Sequence, residues 1–325
     1  MGNTAHLIKV PATMKAHNVQ EYTNNDLLKD MEDFQKSGNL KTGYANIDAI
    51  TNLYPGLYVI GAISSLGKTT FIHQMADQLA EAGENVIYFS YEQSKMELVT
   101  KSLSRTMAKN NFRSAMTSLE IRKTEDISKI SHAIQTYNTY SKNMTIVECD
   151  FSATLDDIVT YVNGHIVQKQ VKPVVIIDYL QVISTDNARI STKEAVDTHV
   201  KRLKQLQQEQ NIAVLVISSL NRQNYLTLID YESFKESGGI EYTADVIWGL
   251  QLEVLHDDIF DKQTKMNEKR EKVRLAKAMN PRRIELCCLK NRFGIGSYSC
   301  MFNYYPKFDY FEPDHDLFNE DAIPD

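Results

Sequence analysis

The sequence predicts an α/β fold with a mainly parallel central β-sheet flanked by helices. Short apolar runs alternate with helical stretches from Tyr44 onward, and a glycine-containing loop joins the first of these runs to the first long helix. This order is typical of parallel strands connected by crossover helices. Two late strand-like runs have no helix between them, which predicts an antiparallel addition to the sheet.

The periodicity of the apolar residues predicts each element in turn. Parallel strands are predicted at 57–61, 86–90, 144–148, 174–178 and 213–218. Helices are predicted at 68–82, 95–109, 125–141, 154–168 and 196–210. The late strands are predicted at 284–290 and 297–302, joined by a turn at 294–296.

The predicted main domain, 41–312, lies between a polar linker segment at 1–40 and an acidic, disordered tail at 313–325. Within the linker, Leu27, Leu28, Met31 and Phe34 recur at spacings that place them on one face of a short helix. A helix of this length is marginal by itself. We therefore expect the face to pack either on the body of the protein or on a neighbouring subunit.

Composition excludes several classes of protein. A hydrophobic fraction of 42% and a charged fraction of 24% are ordinary for a globular protein, and no signal-peptide or membrane-spanning run occurs, so a cytoplasmic protein is expected. The four cysteines form no C-x-x-C pair, which argues against zinc and disulfides. The net charge of -6 argues against a nucleic-acid coat that works by bulk electrostatics. Any DNA binding must be local, as in a channel lined by one loop from each subunit.

The run Gly61-Ala-Ile-Ser-Ser-Leu-Gly-Lys-Thr-Thr70 predicts a phosphate-binding loop, because it follows a strand and opens a helix. Ala62 stands where the first glycine of this motif usually occurs. The backbone N–H groups of successive residues would converge on the phosphates of ATP at the helix N-terminus. The residues of this predicted site are Ser64, Ser65, Leu66, Gly67, Lys68, Thr69 and Thr70. Lys68 would reach the β- and γ-phosphates, and the hydroxyl of Thr69 would ligate Mg²⁺.

Two carboxylates are predicted to complete the site. Asp178 ends the apolar strand Val174-Val-Ile-Ile-Asp178, a Walker B pattern, and would hold Mg²⁺ at the carboxyl edge of the sheet. Glu92 follows the strand 86–90 and is the candidate that orients and polarises the attacking water. Taken alone, Glu92 could equally be a surface residue of a strand-to-helix connection.

Several ordered blocks of this chain resemble the DnaB-like replicative ring helicases and the helicase part of primase-helicases from phages, plasmids and mobile elements. The resemblance runs from about residue 40 to 304. The blocks are Lys41-Thr-Gly-Tyr with Ile47-Asp, the phosphate loop, Phe89-Ser-Tyr-Glu-Gln, Ile177-Asp-Tyr-Leu-Gln, Ser218-Ser-Leu-Asn-Arg, Phe234-Lys-Glu-Ser-Gly-Gly-Ile-Glu with Ala244-Asp-Val, and Lys290-Asn-Arg-Phe-Gly.

The resemblance implies a RecA-like ATPase core that forms a homo-hexamer, hydrolyses ATP with Mg²⁺ between subunits and moves along single-stranded DNA. It gives Glu92 the catalytic role, and it gives Lys290 and Arg292 a role in the ATP site of the neighbouring subunit. It assigns DNA-backbone binding to the loop Lys235, Glu236, Ser237 and Gly238. A primase or a helicase loader is the implied protein partner, and the linker helix would pack on a neighbour.

This chain departs from the family pattern at two positions. Ser219 stands where the family usually has a glutamine that senses the γ-phosphate. Lys235 stands where the family usually has arginine, which keeps the charge but not bidentate geometry.

Three alternatives follow from the residues themselves. The chain could be a regulatory or assembly ATPase with the same core that unwinds no DNA, or a strand-exchange protein. The charged segment 257–283 could be a solvated helix or loop, or a DNA-contacting patch. Tyr225 and Tyr231 could stack on bases or simply pack.

Overall fold

A nine-stranded sheet forms the centre of the protein, in the order β3-β2-β4-β5-β1-β6-β7-β8-β9. The computed structural model describes residues 16–38, 40–184, 191–221, 225–234, 237–261 and 265–314. The strands are β1 Leu57–Ala62, β2 Val86–Ser90, β3 Met144–Glu148, β4 Val174–Asp178, β5 Val214–Ser219, β6 Val246–Leu252, β7 Arg282–Asn291, β8 Tyr298–Tyr305 and β9 Tyr310–Pro313. Strands β1 to β6 pair in parallel, whereas β7, β8 and β9 are antiparallel to their neighbours.

Helices lie between the strands along the chain. They are α1 Val19–Asn25, α2 Leu27–Ser37, α3 Ala45–Asp48, α4 Lys68–Glu81, α5 Lys95–Asn110, α6 Ser118–Lys123, α7 Ser131–Tyr140, α8 Leu155–Lys169, α9 Thr192–Gln210, α10 Ser237–Thr243, α11 Asp258–Asp261 and α12 Met266–Ala278. Among the residues just defined, no helix combines the length and apolarity needed to cross a bilayer.

The predicted fold class is confirmed, with two strands missed: β6 in the middle of the sheet and β9 at its edge. The five predicted parallel strands all form, within a residue of their predicted ends. Strand β6 is missed by the sequence pattern although all seven of its residues are buried. Gly249 and Gln251 interrupt the apolar run of β6, which weakens its strand signal relative to the runs that were predicted.

Local capping explains where several helices begin. Helix α9 starts at Thr192, four residues ahead of the predicted start, because Ser191 and Glu194 form a capping box. Helix α8 follows Thr154, which caps it together with Asp157. The predicted helix 125–141 is instead a short 3₁₀ turn followed by α7.

The chain divides into two compact units, Met1–Asn39 and Leu40–Asp325. In the first unit, α1 and α2 lie within the described residues. The apolar side chains Leu28, Met31 and Phe34 of α2 are exposed. This exposed face is therefore compatible with both predicted alternatives, packing on the body of the protein and packing on a neighbouring subunit.

The end of the chain that is described belongs to the sheet. Strand β9 pairs with β8 and ends at Pro313, and the side chain of Asp314 accepts a hydrogen bond from Arg283. The predicted disordered tail begins at Pro313, so its first residue is instead part of a strand. The remaining residues of that prediction, 315–325, lie outside the described residues.

Candidate nucleotide site

The predicted phosphate loop lies at the carboxyl end of β1 and turns directly into α4. Two of its residues adopt left-handed backbone conformations, Ser65 with φ 67° and Gly67 with φ 89°. A side chain at Gly67 would also meet the ring of Tyr304, since an added Cβ would lie 2.8 Å from a ring carbon. This turn therefore requires glycine at Gly67 for both backbone and packing reasons.

Some side chains of the phosphate loop are buried in the core, and others are exposed to solvent at the carboxyl end of the strands. Leu66 is fully buried, whereas Ser64 and Ser65 are exposed. Lys68 donates a hydrogen bond from Nζ to the carbonyl oxygen of Ala62 over 2.7 Å. Thr70 is buried and lies 3.3 Å from the carboxylate of Asp309.

Asp178 stands at the end of β4 with 2% of its surface exposed. Its carboxylate accepts hydrogen bonds from the hydroxyl of Thr69 and, at Oδ2 over 3.0 Å, from the hydroxyl of Tyr88. Burial raises the pKa of Asp178, and these two hydrogen bonds work in the opposite direction. The structure thus joins the loop threonine and the Walker B carboxylate that the sequence predicts to share a metal ion.

Sheet register places Glu92 at the same edge. Ser90, the last residue of β2, pairs with Asp178, and Glu92 follows two residues later. The Glu92 side chain is exposed and accepts a hydrogen bond from the hydroxyl of Tyr179. Its charge also contributes to raising the pKa of Asp178. Glu92 is therefore accessible to solvent beside the buried carboxylate.

These residues fit a magnesium–nucleotide complex. Thr69 and Asp178 offer two oxygen ligands, and Mg²⁺ in phosphate sites commonly takes only one or two protein ligands while phosphate oxygens and water supply the rest. The described residues contain no group of three or more His, Cys, Asp or Glu that would hold an all-protein metal ion. A buried carboxylate whose pKa is perturbed, next to a phosphate-type loop, is typical of a functional site.

Lys290 and Arg292 lie at the opposite edge of the sheet. Strand β7 runs antiparallel to β6, so Ile284 pairs with Leu252 near the phosphate edge while Asn291 pairs with Val246 at the far edge. There, Nζ of Lys290 donates to the carbonyl oxygen of Glu241 over 2.6 Å. Arg292 lies 3.2 Å from the carboxylate of Asp245. The structure therefore does not bring either cation to the phosphate loop of its own chain.

The predicted DNA-binding loop is only partly described. Lys235 and Glu236 lie outside the described residues, as does the side chain of Ser237. Ser237 begins α10, and Gly238 follows in its first turn. The carbonyl groups at the end of this helix are those that Lys290 and Arg292 contact, at Glu241 and Tyr242.

Ser219, which stands where the family usually has glutamine, is the last residue of β5. Its backbone N–H donates to Oε1 of Gln181 over 3.1 Å, and Nε2 of Gln181 donates to the hydroxyl of Ser218 over 2.8 Å. A glutamine side chain thus does lie beside this strand end, although it comes from the segment after β4.

Four residues of the site are missed by sequence reasoning: Tyr88, Tyr225, Lys277 and Arg282. Tyr88 has a usable signal, because a tyrosine in the otherwise apolar strand β2 needs a partner for its hydroxyl. Tyr225 donates from its hydroxyl to that of Ser64 over 3.2 Å, whereas the sequence suggests only base stacking or packing for it. Lys277 and Arg282 belong to the charged segment 257–283. Nothing in the sequence of that segment indicates that they contact the phosphate loop.

Comparison with known proteins agrees with this geometry. The sequence profile described as "DnaB-like helicase C terminal domain" matches residues 39–312. The replicative DNA helicase DnaB of Leifsonia xyli subsp. xyli is 29% identical over 227 residues, which are 66% of this chain and 47% of that protein. The chain thus spans about half the length of the curated relatives it matches.

Two solved structures share the fold. One is an isolated ATPase domain, which matches with a TM-score of 0.70 and 20% identity, covering 92% of this chain and 99% of that one. The other is a DnaB-like replicative helicase, solved in a study of its interactions with primase, which matches with a TM-score of 0.68 and 20% identity, covering 92% and 67%. Because the profile spans most of the sequence, the chain belongs to the DnaB-like helicase C-terminal domain family.

Proposed function

We propose that this protein is an ATP-driven ring helicase or translocase that acts on single-stranded DNA in replication. The observation that carries the proposal is the constellation at the carboxyl edge of the sheet. Lys68 and Thr69 of the phosphate loop, Asp178 and Glu92 meet there, within a chain that belongs to a helicase family. Its relatives are replicative DNA helicases, which supports the same role here.

Each residue at this edge has a role that follows from its position. The backbone N–H groups of the loop and Lys68 bind the phosphates of ATP. Thr69 and Asp178 would hold Mg²⁺, which would neutralise charge on the phosphate oxygens. Glu92, exposed beside them, orients the attacking water and accepts its proton. Asp178 must be ionised to hold Mg²⁺, but burial raises its pKa and so favours the neutral form. The hydrogen bonds from Thr69 and Tyr88 lower this pKa and thus help to keep the carboxylate charged.

Hydrolysis would depend on assembly, because Lys290 and Arg292 would act in the neighbouring subunit. They lie at the edge of the sheet opposite the phosphate loop, so within one chain they are on the wrong side to contact a bound phosphate. In a closed ring, the same pair from one subunit can face the site of the next. An arginine in that position stabilises the charge that develops on the transferred phosphoryl group. A hexamer is the assembly that we propose.

The DNA contact would be made by Lys235, Glu236, Ser237 and Gly238, one loop from each subunit. With a net charge of -6, the whole surface does not attract DNA, so a channel lined by repeated loops accounts for binding better than bulk electrostatics. Contacts to the DNA backbone carry no base information, so binding should be independent of sequence. A primase or a helicase loader is the proposed protein partner.

The second candidate is a regulatory or assembly ATPase that unwinds no DNA. Ser219 favours it, since the glutamine with which the family couples phosphate sensing to DNA is absent from that position. The two functions differ in one measurable property, the response of ATP hydrolysis to DNA.

The first test is steady-state ATP hydrolysis with and without single-stranded DNA, with the mass of the assembly measured in parallel. The wild type should form a ring and be stimulated by DNA, whereas Glu92→Gln and Arg292→Ala should bind ATP and fail to hydrolyse it. Arg202→Ala is the matched control, because Arg202 pairs with the exposed Asp156. ATP turnover that does not respond to DNA would favour the second candidate.

Mixing the two inactive variants tests action between subunits. In a mixed ring, a site with intact Glu92 can receive intact Arg292 from its neighbour. Partial recovery of hydrolysis is therefore expected when Glu92→Gln and Arg292→Ala subunits are assembled together. If the mixture stays as inactive as its components, Arg292 does not act in the site of a neighbouring subunit.

A further inference from the structure

Two cations near the end of the charged segment 257–283, Lys277 and Arg282, contact the phosphate loop. Nζ of Lys277, in the last turn of α12, donates to the carbonyl oxygen of Ser64 over 3.1 Å. Arg282, the first residue of β7, donates from Nη1 to the carbonyl oxygen of Ser65 over 2.5 Å. Most other charged residues of α12 are exposed. The C-terminal end of the segment therefore packs against the phosphate loop. It is neither a solvated helix or loop nor a DNA-contacting patch separate from the nucleotide site.

No carboxylate pairs with either cation in the described part of the chain. The Arg282 side chain lies over the ring of Tyr304 at 5.6 Å and bonds only to carbonyl groups, including that of Lys277. Lys277 lies over the ring of Tyr225 at 5.4 Å. Burial lowers the pKa of Lys277 and of Arg282, and the groups that oppose this effect are the phenols of Tyr225 and Tyr304 rather than a carboxylate.

In this respect Arg282 differs from Arg105, the other buried arginine among the described residues. The buried Arg105 pairs with Asp77 at 2.5 Å, and Lys204 pairs with Asp245 at 2.6 Å. Only 9% of the Arg282 surface is exposed, and its Nε atom is buried without a hydrogen-bond partner among the described residues. A buried cation without a counter-charge is unfavourable, so the ligand-free site is electrostatically incomplete.

The peptide geometry of the loop shows what the two contacts do. In a planar trans peptide, the C=O and N–H groups point in opposite directions. The carbonyl of Ser64 belongs to the same peptide unit as the N–H of Ser65, and the carbonyl of Ser65 to that of Leu66. Hydrogen bonds from Lys277 and Arg282 fix the direction of these two carbonyl groups. They therefore also fix the N–H groups of Ser65 and Leu66, which point the opposite way. Charge-assisted hydrogen bonds also polarise the peptide units that they contact.

We propose that Lys277 and Arg282 form a phosphate clamp in cis: two positioning residues that orient the phosphate-binding N–H groups and whose missing counter-charge is the polyphosphate of a bound nucleotide. The inference deepens the proposed function and rests on it. One member of the clamp, Arg282, is connected through strand β7 to the two cations that would act in the neighbouring site. Arg282 begins β7 at the phosphate edge, and Lys290 and Arg292 lie at its other end.

The test compares Lys277→Met and Arg282→Met with wild type by calorimetric titration with ATP, ADP and inorganic tripolyphosphate in the presence of Mg²⁺. Loss of a charged hydrogen-bond contact is expected to weaken binding of each ligand about tenfold. Lys277→Arg should restore most of the affinity, because the cation and its donors return. Arg274→Met is the matched control on the same helix, since Arg274 is exposed and pairs with Glu271.

A second readout separates a phosphate clamp from a merely structural contact. Without ligand, Lys277→Met should unfold at a urea concentration no lower than wild type does, because the substitution removes a partly buried cation that has no counter-charge. A structural role predicts the reverse, a lower midpoint without ligand and unchanged affinity in the folded protein.

The outcomes distinguish the inference from the proposed function. If wild type binds no nucleotide, the proposed function itself is wrong. If wild type binds and both methionine variants bind ATP, ADP and tripolyphosphate equally well, only the clamp is wrong. If the variants lose affinity for single-stranded DNA while keeping affinity for tripolyphosphate, the segment is a DNA-contacting patch and the clamp is also wrong.

Discussion

The hydroxyl of Tyr88 donates a hydrogen bond to Oδ2 of Asp178 over 3.0 Å, although the two residues are 90 positions apart. Both side chains are buried, so the bond is not exposed to competition from water. Together with the hydrogen bond from Thr69, it orients the carboxylate that would hold Mg²⁺. Tyr88 is therefore a positioning residue in the proposed ATPase.

Tyr88→Phe should change the Mg²⁺ dependence of ATP hydrolysis. The substitution keeps the ring and removes the donor, so the Mg²⁺ concentration for half-maximal activity should rise about fivefold, corresponding to a hydrogen bond of about 1 kcal/mol. The bond lowers the pKa of Asp178, so its loss raises that pKa further. The acid limb of the pH profile should accordingly move to higher pH.

Tyr58→Phe is the control for this prediction. Tyr58 is equally buried, and its hydroxyl bonds to the backbone of Tyr54 rather than to a site residue. Activity titrations in Mg²⁺ at several pH values would check the pair of variants. Equal behaviour of Tyr88→Phe and Tyr58→Phe would contradict a positioning role for Tyr88.

His73 should make the protein less stable in mild acid. Burial lowers its pKa from 6.5 to about 3 in the folded state. Between these values the unfolded chain binds a proton at His73 and the folded chain does not, so the free energy of unfolding falls as the pH falls through this window. The contribution is at most about 1.4 kcal/mol per pH unit.

Urea unfolding of wild type and His73→Gln between about pH 3 and pH 7 would measure this contribution. The variant should show a shallower loss of stability on acidification. His132 lies exposed on α7, so His132→Gln should retain the wild-type slope. A wild-type slope in His73→Gln would show that other groups account for the acid sensitivity.

Arg105→Met should strongly destabilise the fold. Arg105 is buried between α4 and the turn before β9, where it pairs with Asp77 at 2.5 Å and donates to the carbonyl oxygen of Asp309 over 2.6 Å. Removing the cation leaves Asp77 buried without its counter-charge, which costs about 3–5 kcal/mol. Arg122→Met, which breaks a more exposed pair with Glu97, should cost about 1 kcal/mol or less when measured by the same urea unfolding.

Gly67→Ala should abolish tight nucleotide binding as well as lower stability. The left-handed conformation alone disfavours alanine by about 1–2 kcal/mol, and the ring of Tyr304 lies in the way of the new methyl group. The loop would have to move to accommodate it. Calorimetric titration with ATP and urea unfolding would measure the two effects.

Gly83→Ala separates backbone strain from the packing conflict. Gly83 has φ 96°, and an added Cβ there would meet nothing within 4 Å. This variant should lose a similar amount of stability from strain and keep its affinity for ATP. Unimpaired ATP binding by Gly67→Ala would show that the loop does not need glycine at that turn.

The sequence alone determined the elements whose signals are local. The loop from Gly61 to Thr70, the strand ending in Asp178 and the five parallel strands were predictable because a turn, a helix start or an apolar run is encoded by consecutive residues. Parallel pairing then required the carboxyl ends of β1, β2 and β4 to meet at one edge, so Glu92 could be placed beside the loop.

Tertiary structure decided what depends on residues distant in sequence. Strand β6 was missed because Gly249 and Gln251 interrupt its apolar run, and its position between β1 and β7 is what defines it. Lys277 reaches Ser64 across 213 positions, and Arg282 reaches Ser65 across 217. The reversed direction of β7 places Arg282 at the phosphate edge and Arg292 at the opposite one. The spacing of residues along the chain does not predict such contacts, because they depend on how the strands are ordered and packed in space.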